Sequence, residues 1–185
     1  QVAWALPSLA PDLTTAIVPV GAPHPLALPS LRARALSGPA LQYVSLRIPG
    51  LAERRLRSRS ALEGLLRSWA GPHTREALAE EAPYYAELLS RPGAAHSALE
   101  PLRNLVLSRA ETAALDKPVT VPVLSVQGEL DPVQPAQAYA RDTHRVAGNL
   151  RQVTIHRSGH FPQEETPAGF VRALLPFLAD VAPPP

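Results

Sequence analysis

Residues 123–132 read Val-Leu-Ser-Val-Gln-Gly-Glu-Leu-Asp-Pro. Val121, Val123, Leu124 and Val126 form a nearly continuous apolar run, the pattern of a strand buried on both faces. Gly128 opens a turn, and that turn presents Asp131 at the strand's C-terminal end. A second stretch lies just downstream. Residues 151–156 (RQVTIH) alternate, with Val153 and Ile155 on one face, so they read as a half-buried strand near a sheet edge. Directly after it comes Ser158-Gly159-His160-Phe161-Pro162-Gln163-Glu164-Glu165. Between the two strands, residues 135–147 read as a helix.

Strand, helix, strand is the unit of a parallel sheet, so Asp131 and His160 are expected on the same rim. Each has an ordinary reading as well: Asp131 as a turn residue before Pro132, His160 as a loop histidine. Together they suit catalysis. A carboxylate on one imidazole nitrogen fixes the tautomer and stabilises the imidazolium. The other nitrogen then takes a proton from a nucleophile or a water.

Upstream, Val2, Ala5, Leu6 and Leu9 form a helical stripe that Pro7 should kink or split. Residues 13–20 (LTTAIVPV) are apolar and β-branched and read as a buried strand, weakened near its end by Pro19. Gly21, Pro23 and Pro25 then interrupt regular structure. Residues 26–116 read as short helices punctuated by Pro and Gly. One carries Leu62, Leu65, Leu66 and Trp69, with Ser60 as its cap. Another carries Tyr84, Tyr85, Leu88 and Leu89 and stops before Pro92. A third covers about 95–109. Val171, Leu174, Leu175 and Leu178 make a final amphipathic helix. The expected organisation is an α/β core from 1–25 and 117–182, with about three parallel strands, a helical cap at 26–116 and a disordered tail at 183–185.

The chain has 185 residues, 45% of them hydrophobic and 18% charged, so disorder is not expected. A net charge of +2 is too small to argue for nucleic acid or an anionic membrane surface. The Arg54–Arg59 cluster has no interleaved aromatics and reads as a solvated helix face. There are no cysteines, and the histidines have no ligand spacing, so no metal site and no cofactor is expected. His24, flanked by prolines, reads as structural. The chain begins with Gln and contains no Met, which reads as a fragment or a processed product.

The motif strand-G-E-x-D-P, followed by strand-x-x-S-G-H-F-P-x-E, resembles the end of α/β-hydrolases of the epoxide hydrolase and haloalkane dehalogenase group. Val2-Ala3-Trp4 resembles that family's helix after the nucleophile elbow. Gly21-Ala22-Pro23-His24-Pro25 resembles its "A-P-H-P" at the cap entrance, and Ile48-Pro49-Gly50-Leu51-Ala52-Glu53 its "L-P-G-L-x-E" within the cap. The resemblance implies Asp131 as relay acid and His160 as general base.

It also implies an Asp or Ser nucleophile a few residues before Gln1. No two of the ten glycines lie four apart, as an elbow within the chain would need. Epoxide hydrolases use two cap tyrosines as donors to the epoxide oxygen. Counting back from Pro49 puts the first at Gln42, one position from Tyr43. The segment matching the second is Glu100-Pro101-Leu102-Arg103, where Leu102 replaces the tyrosine. Tyr84 and Tyr85 are helical alternatives.

The resemblance thus implies hydrolysis of a small apolar substrate, contacted by Tyr43 and Phe161. An Asp nucleophile would give an alkyl-ester intermediate. A Ser nucleophile would make an esterase, lactonase or carbon–carbon bond hydrolase. The rival is a truncated, non-catalytic relative that only binds. Neither nucleic acid nor membrane is an expected partner, a homodimer is compatible, and a cytoplasmic location is the default expectation.

Overall fold

With a side-chain period of two, Val123 and Ser125 must leave the strand on one face, and Leu124 and Val126 on the other. A computed structural model of the chain describes residues 2–27, 48–103, 107–134 and 136–182, with backbone only at Leu102. In it both sets are buried. Strand β1 (Val123–Gly128) pairs in parallel with β2 (Leu150–Ile155), Val123 opposite Leu150 and Gly128 opposite Ile155.

The expected strand at 13–20 is only partly formed. Its start is a 3₁₀ turn, Pro11–Leu13. The rest runs beside β1 through two isolated parallel bridges, Ile17 with Val123 and Val20 with Val126. The backbone bonds explain the interruption. Ile17 donates to Pro122 and accepts from Leu124, Pro19 accepts from Val126, and Gly21 donates to Val126. Pro19 has no N–H for the intervening rung, so a regular ladder cannot close.

Each sheet face is covered. On one, Ile17 and Val123 pack with Trp4 of α1 (Val2–Leu9), Leu115 of α7 (Arg109–Asp116) and Val119. On the other, Leu124, Val126 and Ile155 pack with Phe177 of α10 (Pro167–Val181), which follows the short helix α9 (Pro162–Glu165). Ala16, Val18 and Val20 join that second cluster, which keeps the alternation intact across the bridged segment.

The helical block comprises α2 (Leu51–Leu56), α3 (Arg59–Trp69), α4 (Arg75–Glu80), α5 (Ala82–Ser90) and α6 (Ala94–Arg103). It has its own apolar core, including Leu56, Leu62, Leu66, Leu78 and Leu99, and Phe161 of the core domain packs against it. The described residues of this block contain no strand. The Ile48–Glu53 segment has a structural use here. Gly50 takes a positive φ of 79°, and Glu53 accepts its N–H at 2.7 Å. The other Glu53 oxygen accepts from Arg103 at 2.7 Å, tying α2 to α6. That pairing, and next the Gly50 and Glu53 backbone N–H groups, hold the Glu53 carboxyl down at about 2.

Several expectations about local structure change. α1 is continuous, with Pro7 inside it. Ser58, not Ser60, caps α3, accepting the N–H of Ala61. The expected 95–109 helix is described over Ala94–Arg103, 104–106 lie outside the described residues, Leu107 and Ser108 are not helical, and α7 begins separately, capped by Ser108 and Glu111. The expected 135–147 helix is α8 (Ala136–Ala140) followed by a 3₁₀ turn, Arg141–His144. The chain must leave the helix there, because Val146 bridges back to Val119. The 183–185 tail lies outside the described residues. Among the described residues no helix is long and apolar enough to cross a membrane.

Candidate active site

β1 and β2 are parallel neighbours, so the residues after them emerge on one rim. His160 Nδ1 lies 3.0 Å from Asp131 Oδ2. An ionised carboxylate only accepts, so the fitting tautomer carries its proton on Nδ1 and leaves Nε2 able to accept one. The Asp131 side chain is 2% exposed and that of His160 16%. The acid is therefore sealed from water while the imidazole keeps an open side.

Asp131 serves both of its readings at once. Oδ1 accepts the N–H groups of Val133 (2.7 Å) and Gln134 (3.1 Å), which closes the turn. Oδ2 is left for His160. The Tyr139 hydroxyl also points at Oδ2, at 3.4 Å. Burial, and secondly the Asp131 charge, push that phenol upward, so it remains a neutral donor. The two loops are stitched together as well. Glu129 donates its N–H to Ile155, and Leu130 to Ser158. Arg157, in the left-handed region at φ 60°, donates its N–H to the Glu129 carboxylate at 2.9 Å.

The strands approach this rim very closely. A Cβ on Gly128 would sit 1.9 Å from the Gly159 carbonyl oxygen, and one on Gly159 2.2 Å from Gly71 N. The His160 loop is thus wedged, backbone against backbone, between the end of β1 and the turn after α3.

Two aromatic rings flank His160. Trp69, at the end of α3, meets it edge-on with centroids 5.4 Å apart, and Phe161 lies at 5.2 Å. Phe161 also stacks on Trp69, so its ring packs the helical block onto the rim. The Trp69 indole N–H is buried without a hydrogen-bond partner. Tyr43 lies outside the described residues. Tyr84 is exposed, and the Tyr85 hydroxyl donates to Glu164 at 2.6 Å, so it is already engaged. A broad hollow of about 810 Å³ between β2, α10 and His73–Thr74 touches neither Asp131 nor His160, whereas one of about 210 Å³ borders Asp131.

Sequence reading left two contributors without a role. Glu165 closes the Ser158–Glu165 stretch, and its carboxylate gathers donors from both sides of the rim. Asp142 is fully buried, accepting the His24 N–H at 2.8 Å and facing Ser125 Oγ at 3.2 Å. Burial raises Asp142 to about 6, with its two hydrogen bonds opposing. His24, held against Trp4, is lowered to about 4 by burial first and the Arg145 charge second. This knot anchors the segment around His24 to β1, consistent with a structural His24. A buried Asp flanked by charged Arg141 gives no pattern that distinguishes it from a surface residue.

No family model and no curated protein matches the chain. Solved structures do. Epoxide hydrolase A from Mycobacterium thermoresistibile matches with a TM-score of 0.70 at 23% identity, over 98% of this chain and 66% of that one. Cfl2 from Burkholderia cenocepacia matches with a TM-score of 0.69 at 22% identity, over 92% and 59%. Est816, described as an N-acyl homoserine lactone degrading enzyme, matches with a TM-score of 0.60 at 18% identity, over 95% and 62%. The chain therefore has the α/β-hydrolase fold and spans about three fifths of the length of these structures.

Proposed function

We propose that Asp131 and His160 are the acid and base of a hydrolase whose nucleophile is carried by polypeptide preceding Gln1. The observation that carries this reading is the 3.0 Å contact between a sealed carboxylate and a partly exposed imidazole at the rim of a parallel sheet. His160 Nε2 would take a proton, and Asp131 would stabilise the resulting imidazolium. The helical block acts as the cap, and Trp69 and Phe161 provide an apolar wall beside the base. A small, largely apolar substrate suits that wall.

The reaction we favour is epoxide hydrolase-like. An Asp nucleophile would open the substrate to an alkyl ester, and His160 would then activate water to cleave it. The second reading is ester, lactone or carbon–carbon bond hydrolysis with a Ser nucleophile. Leu102 at the second tyrosine position and the engaged Tyr85 hydroxyl favour it. The test is to express the chain with its upstream coding sequence and assay epoxide, haloalkane and ester probes. Hydrolysis abolished by His160→Ala is expected. The chain from Gln1 alone should show none, because no covalent intermediate can form. Turnover by the extended protein that survives His160→Ala would reject the reading.

A further inference from the structure

Three successive backbone N–H groups surround the His160 side chain, and each has a defined acceptor. Gly159 donates to Glu165 Oε2 at 2.8 Å, and Phe161 to Glu165 Oε1 at 2.9 Å. His160 itself donates to the Trp69 carbonyl at 3.0 Å. Glu165 Oε2 also accepts the Gly71 N–H at 2.7 Å and the Thr74 hydroxyl at 2.5 Å. One carboxylate thus takes four donors, about the number its lone pairs can serve. Two come from the residues on either side of His160, and two from the turn between α3 and α4.

We propose that Glu165 is a positioning residue for His160, and that it locks the base to the helical block. This rests on reading His160 as the base. Hydrogen bonds to an ionised acceptor are roughly twice as strong as neutral ones, so four on one group make a stiff clamp. The clamp holds the N–H groups of the residues before and after His160, while the backbone-to-backbone packing of Gly159 on Gly71 leaves no slack behind it. A shift of the α3–α4 turn is therefore transmitted to the Nδ1–Oδ2 contact. That part of the helical block cannot lift from the rim without releasing the base, so substrate must enter elsewhere.

The test uses NMR on the ¹⁵N-labelled chain, with Glu165→Gln and Thr74→Val. Glutamine keeps the shape but turns one acceptor into an NH2 that faces donors. Expected for Glu165→Gln is at least a tenfold rise in amide exchange at Gly159 and Phe161 relative to Leu124 and Val126. The His160 Nδ1 proton resonance should weaken or vanish. Thr74→Val removes one donor and leaves the carboxylate. It should give a smaller rise at the same amides and keep the Nδ1 resonance.

The proposal is overturned if Glu165→Gln leaves exchange at 159–161 within twofold and the Nδ1 resonance intact. If Glu165→Gln also exposes the Leu124 and Val126 amides, Thr74→Val decides, and unchanged exchange at Gly159 and Phe161 overturns the proposal. A wild-type chain with no carboxylate-bonded Nδ1 proton would reject the acid–base reading instead. The exchange data would still judge the clamp.

Discussion

His160 Nδ1 and Asp131 Oδ2 stand 3.0 Å apart although 29 residues separate them in the chain. Two parallel strands in register achieve this, because each delivers its loop to the same rim. Asp131→Asn would keep the turn acceptor but offer the imidazole the wrong tautomer. In the extended, active protein, turnover should fall about a thousandfold or more with little change in thermal stability. A loss of less than tenfold would show that His160 works without its acid.

Gly128 supports that geometry by having no side chain. A Cβ there would meet the carbonyl oxygens of both Gly159 and Ser158, which are backbone atoms and cannot rotate away. Gly128→Ala should therefore cost about 2 kcal/mol or more and separate the Asp131 and His160 loops. Urea unfolding of the chain measures the first effect. A midpoint equal to wild type would contradict the close approach.

The Asp142–His24 knot predicts two opposed pH effects. Asp142 is raised from 3.8 to about 6, so between these values the folded state holds the proton that the unfolded state has lost. Its contribution to stability falls as pH rises through that window. His24 is lowered from 6.5 to about 4, so the unfolded state holds the proton there, and its contribution rises with pH. The two slopes oppose each other in the wild type.

Asp142→Asn should unmask the rise, and His24→Gln the fall. Each should differ from wild type by up to about 1.4 kcal/mol per pH unit between pH 4 and 6. Chemical denaturation across that range gives the curves. Variants whose curves run parallel to wild type would refute the knot's role.

The engaged Tyr85 hydroxyl sets Tyr85 apart from Tyr43. Tyr85→Phe should lower stability by about 1 kcal/mol through loss of the Glu164 bond. It should change epoxide turnover less than about twofold. Tyr43→Phe should cost epoxide turnover about a hundredfold, since losing one preorganised donor to a developing alkoxide has that size. Ester turnover, whose oxyanion would be held by backbone N–H groups, should be spared. Equal losses on both substrates would show that Tyr43 does not serve as that donor.

The α/β alternation, the strand that ends at Gly128, and the two loop residues that meet on its rim follow from local sequence. Those features are local: a period of two in Val123–Val126, a Gly turn before Asp131, and a stripe of Leu62, Leu65, Leu66 and Trp69. The helical character of 48–103 was legible for the same reason.

Where elements stop and which side chains join the site depends on long-range packing. Residues 13–20 carry strand propensity throughout, yet the missing Pro19 N–H reduces their pairing to isolated bridges. The 135–147 helix ends early because Val146 must reach Val119. Glu165 looks like any first-turn acid until the turn after α3 is brought against it. Its four donors come from positions 71, 74, 159 and 161. Asp142 looks solvated until folding buries it beneath His24. A carboxylate's role depends on which donors surround it, and long-range donors are set by packing, which local periodicity does not encode.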